Sequence, residues 1–113
     1  MPKQRADIRL AQAALLFAAL GDETRLALVG QLSAEGPASI SSLAENFRIT
    51  RQAVTKHLKF LAASGLIDGR RVGREHVWAL NPARLVEAER CLQVIAQRWD
   101  DALGRLKAHV END

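Results

Sequence analysis

Residues 48–67 read RITRQAVTKHLKFLAASGLI. Val54, Leu58 and Leu61 fall at i, i+4 and i+7, which gathers three apolar side chains on one face of a helix. Arg51, Gln52, Thr55, Lys56 and Lys59 fall on the opposite face. Thr50 can cap this helix, because its side-chain oxygen can accept from a backbone N–H of the first turn. Ser64-Gly65 punctuates its end. A polar helix face is ordinarily just solvated. Whether this one is built to enter a DNA groove depends on its neighbours.

The upstream neighbour is a short helical segment, SSLAENF, with Ser39 or Ser41 as its cap and Leu43 and Phe47 facing inward. A short helix, a tight turn and a second amphipathic helix make a helix-turn-helix spacing over about residues 39–65. After Gly65 the period changes to two. LIDGRR and REHVWAL read as strands joined around Val72-Gly73, with His76, Trp78 and Leu80 alternating with Glu75, Val77 and Ala79. Arg70, Arg71 and Arg74 flank the tip of this hairpin, which spans about residues 66–80.

Two further helices precede this unit and one follows it. The first covers about residues 7–20. Ile8, Ala11, Ala14, Leu15, Ala18 and Ala19 recur at helical spacing, and Leu16, Phe17 and Leu20 widen the stripe. A helix apolar over so much of its girth is buried on two sides, one of them available to a second subunit. Gly21 ends it and Asp22 caps the next, ETRLALVGQL, with Leu26, Val29 and Leu32 expected inward. Arg25 suits an ion pair or a packing role at that helix's edge. The last helix starts at Asn81-Pro82, where proline's missing N–H costs nothing. Leu85, Ala88, Leu92, Ile95, Trp99, Ala102 and Leu106 step 3,4,3,4,3,4 along it. That spacing is a seam for another helix, and little of this chain remains to cover it. A dimer interface through Leu15, Leu85, Leu92, Ile95, Trp99 and Leu106 is expected, with a purely intramolecular core as the alternative.

The whole chain has 113 residues, 48% of them apolar, which suits one domain with a modest core, taken as residues 1–113. Net charge is +3, but residues 48–76 hold seven Lys/Arg against two acids, +5 in that segment alone. A cationic middle is the electrostatic footprint for a polyanion. No apolar run approaches the roughly 18 residues of a membrane span, and the start MPKQRADIRL is not that of a secretory signal. A cytoplasmic protein, with no membrane partner, is expected. The one cysteine, Cys91, cannot form an internal disulfide. It reads as a small buried apolar group, with a reactive thiol or an intersubunit pair as alternatives.

In this order the elements make a mainly α fold with a small β-hairpin wing: four helices, the hairpin, and a long fifth helix. The segments carry a closer likeness. LFAALGDETRLALVGQL, SLAENFRITRQAVTKHLKFLAASGLI and GRRVGREHVWALN together resemble the ArsR/SmtB family of bacterial repressors, over about residues 10–110. The resemblance implies a winged helix-turn-helix, homodimeric through its first and last helices (about 7–20 and 82–110). It implies a repressor that binds a double-stranded DNA operator and is released by a signal. On that reading Thr50, Arg51, Gln52, Thr55, Lys56 and Lys59 lie toward the major groove. Arg70, Arg71 and Arg74 reach phosphates or the minor groove. His57, at the edge of the inward face, is either a hydrogen-bonded structural histidine or a further DNA contact.

The sequence departs from the family where many members bind metal. Their paired cysteines before the recognition helix correspond here to Ser39 and Ser41, and hydroxyls are poor ligands for thiophilic metals. The alternative family arrangement needs Asp and several His on the last helix, which has only His109. No metal, no cofactor and no enzymatic activity are expected, since the known catalytic motifs are absent too. The inducer is left open. The competing readings are a winged-helix module that binds protein, or a basic architectural or RNA-binding protein. Both fit the fold, but neither requires basic residues in both helix and wing.

Overall fold

The computed structural model describes residues 2–112, with side chains from Leu10 onward, so Ile8 of the expected first stripe lies outside the described side chains. The elements run α1 (Pro2–Leu20), α2 (Glu23–Glu35), β1 (Ala38–Ser39), α3 (Ile40–Phe47), α4 (Arg51–Ala63), β2 (Ile67–Val72), β3 (Glu75–Leu80) and α5 (Pro82–Glu111). The first helix starts five residues earlier than its apolar stripe suggests. Proline is tolerated in a first turn, and Lys3, Gln4, Arg5 and Ala6 are good helix formers that carry no burial signal.

Caps fix the other helix starts. Asp22 accepts from the Arg25 N–H at 3.0 Å, Ser39 from Ser42 at 3.2 Å, Thr50 from Ala53 at 3.0 Å and Asn81 from Ala83 at 3.2 Å. Helices α3 and α4 end in the same device. Beyond α3, Arg48 N–H donates to the Glu45 carbonyl and Ile49 N–H to that of Ala44. Beyond α4, Gly65 N–H donates to Ala62 and Leu66 N–H to Leu61. Both are Schellman motifs, which place one residue in the left-handed region and return an apolar residue to the helix.

The core gathers Leu16 and Ala19 from α1, Leu28, Val29 and Leu32 from α2, Leu43 from α3, and Val54, Leu58 and Leu61 from α4. Leu66, Ile67, Trp78 and Ala88 complete it. The three residues expected inward on α4 are all fully buried. On α2 one expectation fails: Leu26 is 54% exposed, and Leu28 joins Val29 and Leu32 instead. The inner edge of that helix is taken by the Arg25 side chain, only 15% exposed, so Leu26 turns outward.

The wing is part of a three-stranded antiparallel sheet, ordered β1-β3-β2. Ala38 pairs with Trp78 and Ser39 with Val77, so the hairpin is tied to the segment that leads into α3. Two residues are too few for an alternating pattern, and the sequence gave no sign of this strand. In the hairpin, Val72 pairs with Glu75 and Gly73-Arg74 form the turn. Gly73 has φ +63°, as such two-residue turns require at their first position. Arg74, expected on the second strand, therefore sits in the turn itself.

Candidate nucleic-acid interface

On α4 the capped start and the buried stripe fix the rotation of the helix. Arg51, Gln52, Lys56 and Lys59 are consequently exposed and Thr55 half-buried, and these five line one shallow, open depression. Two hydroxyls are partly committed to backbone. Thr50 Oγ1 is the cap acceptor, so its O–H hydrogen remains to donate. Thr55 donates to the Arg51 carbonyl at 2.7 Å, leaving only lone pairs. Those lone pairs suit an amino group on a base edge and not a phosphate.

A cluster behind α4 holds it against α1 and α2. Arg25 Nε donates to the Ala19 carbonyl at 2.7 Å and its Nη2 to Ala18 at 3.2 Å, satisfying carbonyls left open at the end of α1. The same guanidinium lies 4.1 Å from the Phe60 ring centroid, a cation–π contact with α4. Asp22 Oδ2 stands 4.0 Å from Arg25 Nη1 and 3.9 Å from His57 Nδ1. The hydrogen bond from the Arg25 backbone N–H holds the Asp22 carboxyl below its ordinary range. The Arg25 guanidinium and His57 add to this, against partial desolvation. This geometry favours the structural reading of His57. The packing role expected of Arg25 is present, but Phe60 as its partner was not legible. The only hint was that His57 and Phe60 lie one helical turn apart.

On the wing Arg70, Arg71 and Arg74 are exposed. The register puts Arg71 on the face shared with Gly69, His76 and Trp78, and Arg70 on the other. Trp78 is buried, and His76 stacks on it at 4.6 Å between centroids. Helix α4 packs against β2 and so adjoins the base of the wing. Among the described residues the ion pairs involve Arg25, His57 and Arg84, and none involves a cation of α4 or the wing.

The expected seam is an exposed stripe. Leu92, Ile95, Trp99 and Leu106 on α5 and Leu15 on α1 are each more than half exposed, Trp99 at 64%. Leu85 differs: it packs half-buried on its own core beside Ala88, because α5 leaves the domain only after its second turn. Leu103 and Val110, which the strict 3,4 spacing passed over, extend the stripe, and Leu10 is exposed on α1. Cys91 is half-buried rather than fully buried. No group of three or more His, Cys, Asp or Glu that could hold a metal ion occurs among the described residues. No helix among them is long and apolar enough to cross a membrane.

A family model described as a helix-turn-helix domain matches residues 20–70. The chain is 40% identical over 67 residues to the HTH-type transcriptional regulator Rv2034 of Mycobacterium tuberculosis, covering 59% of this chain and 62% of that protein. It is 33% identical over 88 residues to the HTH-type transcriptional repressor SmtB of M. tuberculosis, covering 78% and 63%. The chain thus spans somewhat less than two thirds of the length of these curated relatives. An ArsR-like transcriptional regulator from Rhodococcus sp. RHA1 superposes with a TM-score of 0.78 at 40% identity, covering 87% of this chain and 92% of that one. With the wing and long terminal helix in place around the matched helix-turn-helix, the chain belongs to the ArsR/SmtB family of winged helix-turn-helix transcriptional regulators.

Proposed function

We propose that this protein is a homodimeric, sequence-specific repressor that binds double-stranded operator DNA and is released by a signal yet to be identified. The observation that carries the reading is the set of unpaired cations on α4 and the wing. Arg51, Lys56, Lys59, Arg70, Arg71 and Arg74 are exposed and lack an acidic partner among the described residues. A surface that is only solvated gains nothing from leaving so many like charges together, whereas a polyanion neutralises them. Arg51 and Gln52, in the first turn of α4, have the donor geometry to read base edges. Lys56, Lys59 and the wing arginines supply phosphate contacts that set register. His57 acts through Asp22 to position the helix. The α5 stripe from Leu92 to Val110 is about 27 Å long at 1.5 Å per residue and fits a second copy of itself with Leu15 alongside.

The test is fluorescence anisotropy on DNA from the gene's own upstream region, with scrambled competitor and a salt series. Binding at two protomers per site that survives competitor supports the reading. Arg51→Ala should cost about 1–3 kcal/mol on the operator alone. Arg71→Ala should weaken all DNA comparably and lower the salt slope by about 0.9. If both variants stay folded and bind as the wild type does, the docking arrangement is wrong.

A further inference from the structure

The turn between α3 and α4 contains the one non-glycine residue with positive φ among those described, Arg48, at φ 54° and ψ 40°. This is the left-handed region, which crowds Cβ against the following carbonyl and which glycine occupies without that cost. The chain supplies its own comparison. The Schellman motif after α4 has the same hydrogen bonds, and its left-handed position is Gly65, at φ 85°. At the corresponding place after α3 the chain carries an arginine instead. Its side chain offers the fold nothing in return: Arg48 is exposed, and no hydrogen bond or ion pair to its guanidinium is present among the described residues. It stands three residues before Arg51, just ahead of the cap of the recognition helix. A sparsely populated backbone state that packing does not require points to a task outside the fold.

We infer that Arg48 contacts a DNA phosphate at the entry of α4, an anchor additional to the α4 row and the wing. This rests on the DNA-binding reading above. The contact fixes how far the N-terminal end of α4 enters the groove, so Arg51 and Gln52 reach base edges in one register. A phosphate contact carries no sequence information. Its loss is therefore the same on operator and scrambled DNA.

The experiment compares wild type with Arg48→Gly, Arg48→Asn and Arg48→Lys, in thermal melts and in anisotropy titrations across a salt series. Glycine and asparagine both tolerate the left-handed position, so these two variants should melt no lower than wild type. Both should lose about 0.9 of the salt slope, which is about 8-fold in affinity at 0.1 M salt. Arg48→Lys keeps the charge and should retain the slope. Unchanged affinity and slope in Arg48→Gly, with wild type binding its operator, overturns the inference and leaves the DNA reading standing. A clear fall in melting temperature in Arg48→Gly makes Arg48 structural and also overturns it. A wild type that shows no salt-dependent DNA binding overturns both.

Discussion

Gly69 and Gly104 should respond to the same alanine substitution with opposite signs. Gly69 lies on β2 opposite Trp78, and the Trp78 ring lies across it with His76 stacked on top. A Cβ at Gly69 would stand 2.7 Å from His76 Nε2 and 2.8 Å from both Trp78 Cε3 and Cζ3. Carbon contacts are optimal at about 3.5–4.0 Å, so the rings must retreat by most of an ångström. His76 is half-exposed and can swing away. Trp78 cannot: it is 7% exposed, part of the core, and held by packing alone, since its buried indole N–H has no acceptor among the described residues. Overpacking of this kind costs about 1–3 kcal/mol, which for a domain of this size lowers the melting temperature by roughly 4–12 °C. Gly104 is in the middle of α5, and a Cβ there meets nothing within 4 Å. Alanine should stabilise that helix by about 0.5–1 kcal/mol, raising the melting temperature by roughly 2–4 °C. The assay is a far-ultraviolet circular dichroism melt of wild type and both variants at one protein concentration, because dimer melting depends on it. A Gly69→Ala protein that melts within about 1 °C of wild type would refute the claim that Trp78 locks the base of the wing.

Three further outcomes follow from the same geometry. Thr50→Ala removes the cap of α4 and should cost about 1 kcal/mol, while Thr50→Ser restores it; paired denaturant titrations measure both. Trp99→Asp or Ile95→Asp puts a charge in the middle of the exposed α5 stripe and should convert a sedimenting dimer to monomer. Val86→Asp, off that stripe, should leave the dimer intact, and an unchanged Trp99→Asp dimer would remove the stripe from the interface. The Asp22 carboxyl is held below its ordinary pKa of 3.8 in the folded chain, so its ionised form stabilises the protein above about pH 4. That contribution is lost as pH falls through the lower folded value. Asp22→Asn keeps a capping oxygen without the charge. Its stability deficit should therefore be constant near neutral pH and shrink in acid, and a deficit that grows below pH 4 would contradict the sign.

Much of the fold and of the candidate site was legible because it rests on local rules. Asp22, Thr50 and Asn81 cap helices through bonds spanning two or three residues, which any reading of side-chain type and position can find. The stripe Val54, Leu58, Leu61 fixes the rotation of α4, and with it the exposure of Arg51, Gln52, Lys56 and Lys59. Period-two alternation marked the hairpin, and the 3,4 spacing of the last helix marked its apolar stripe. Tertiary structure decided what depends on residues far apart in the chain. The pairing of Ala38–Ser39 with β3 selects a strand too short to carry its own pattern. The reach of Arg25 to Phe60 turns Leu26 outward and fixes α4 against α2. The packing of α5 assigns Leu85 to the protomer's own core and leaves Trp99 outside it. The left-handed turn at Arg48 is set by where α4 must start once α3 is docked. The sequence by itself determined which segments become helix or strand and which face of each is apolar, because capping and periodicity act within a turn or two. Only the packed chain decided which apolar faces meet, since burial is shared among elements that the sequence places far apart.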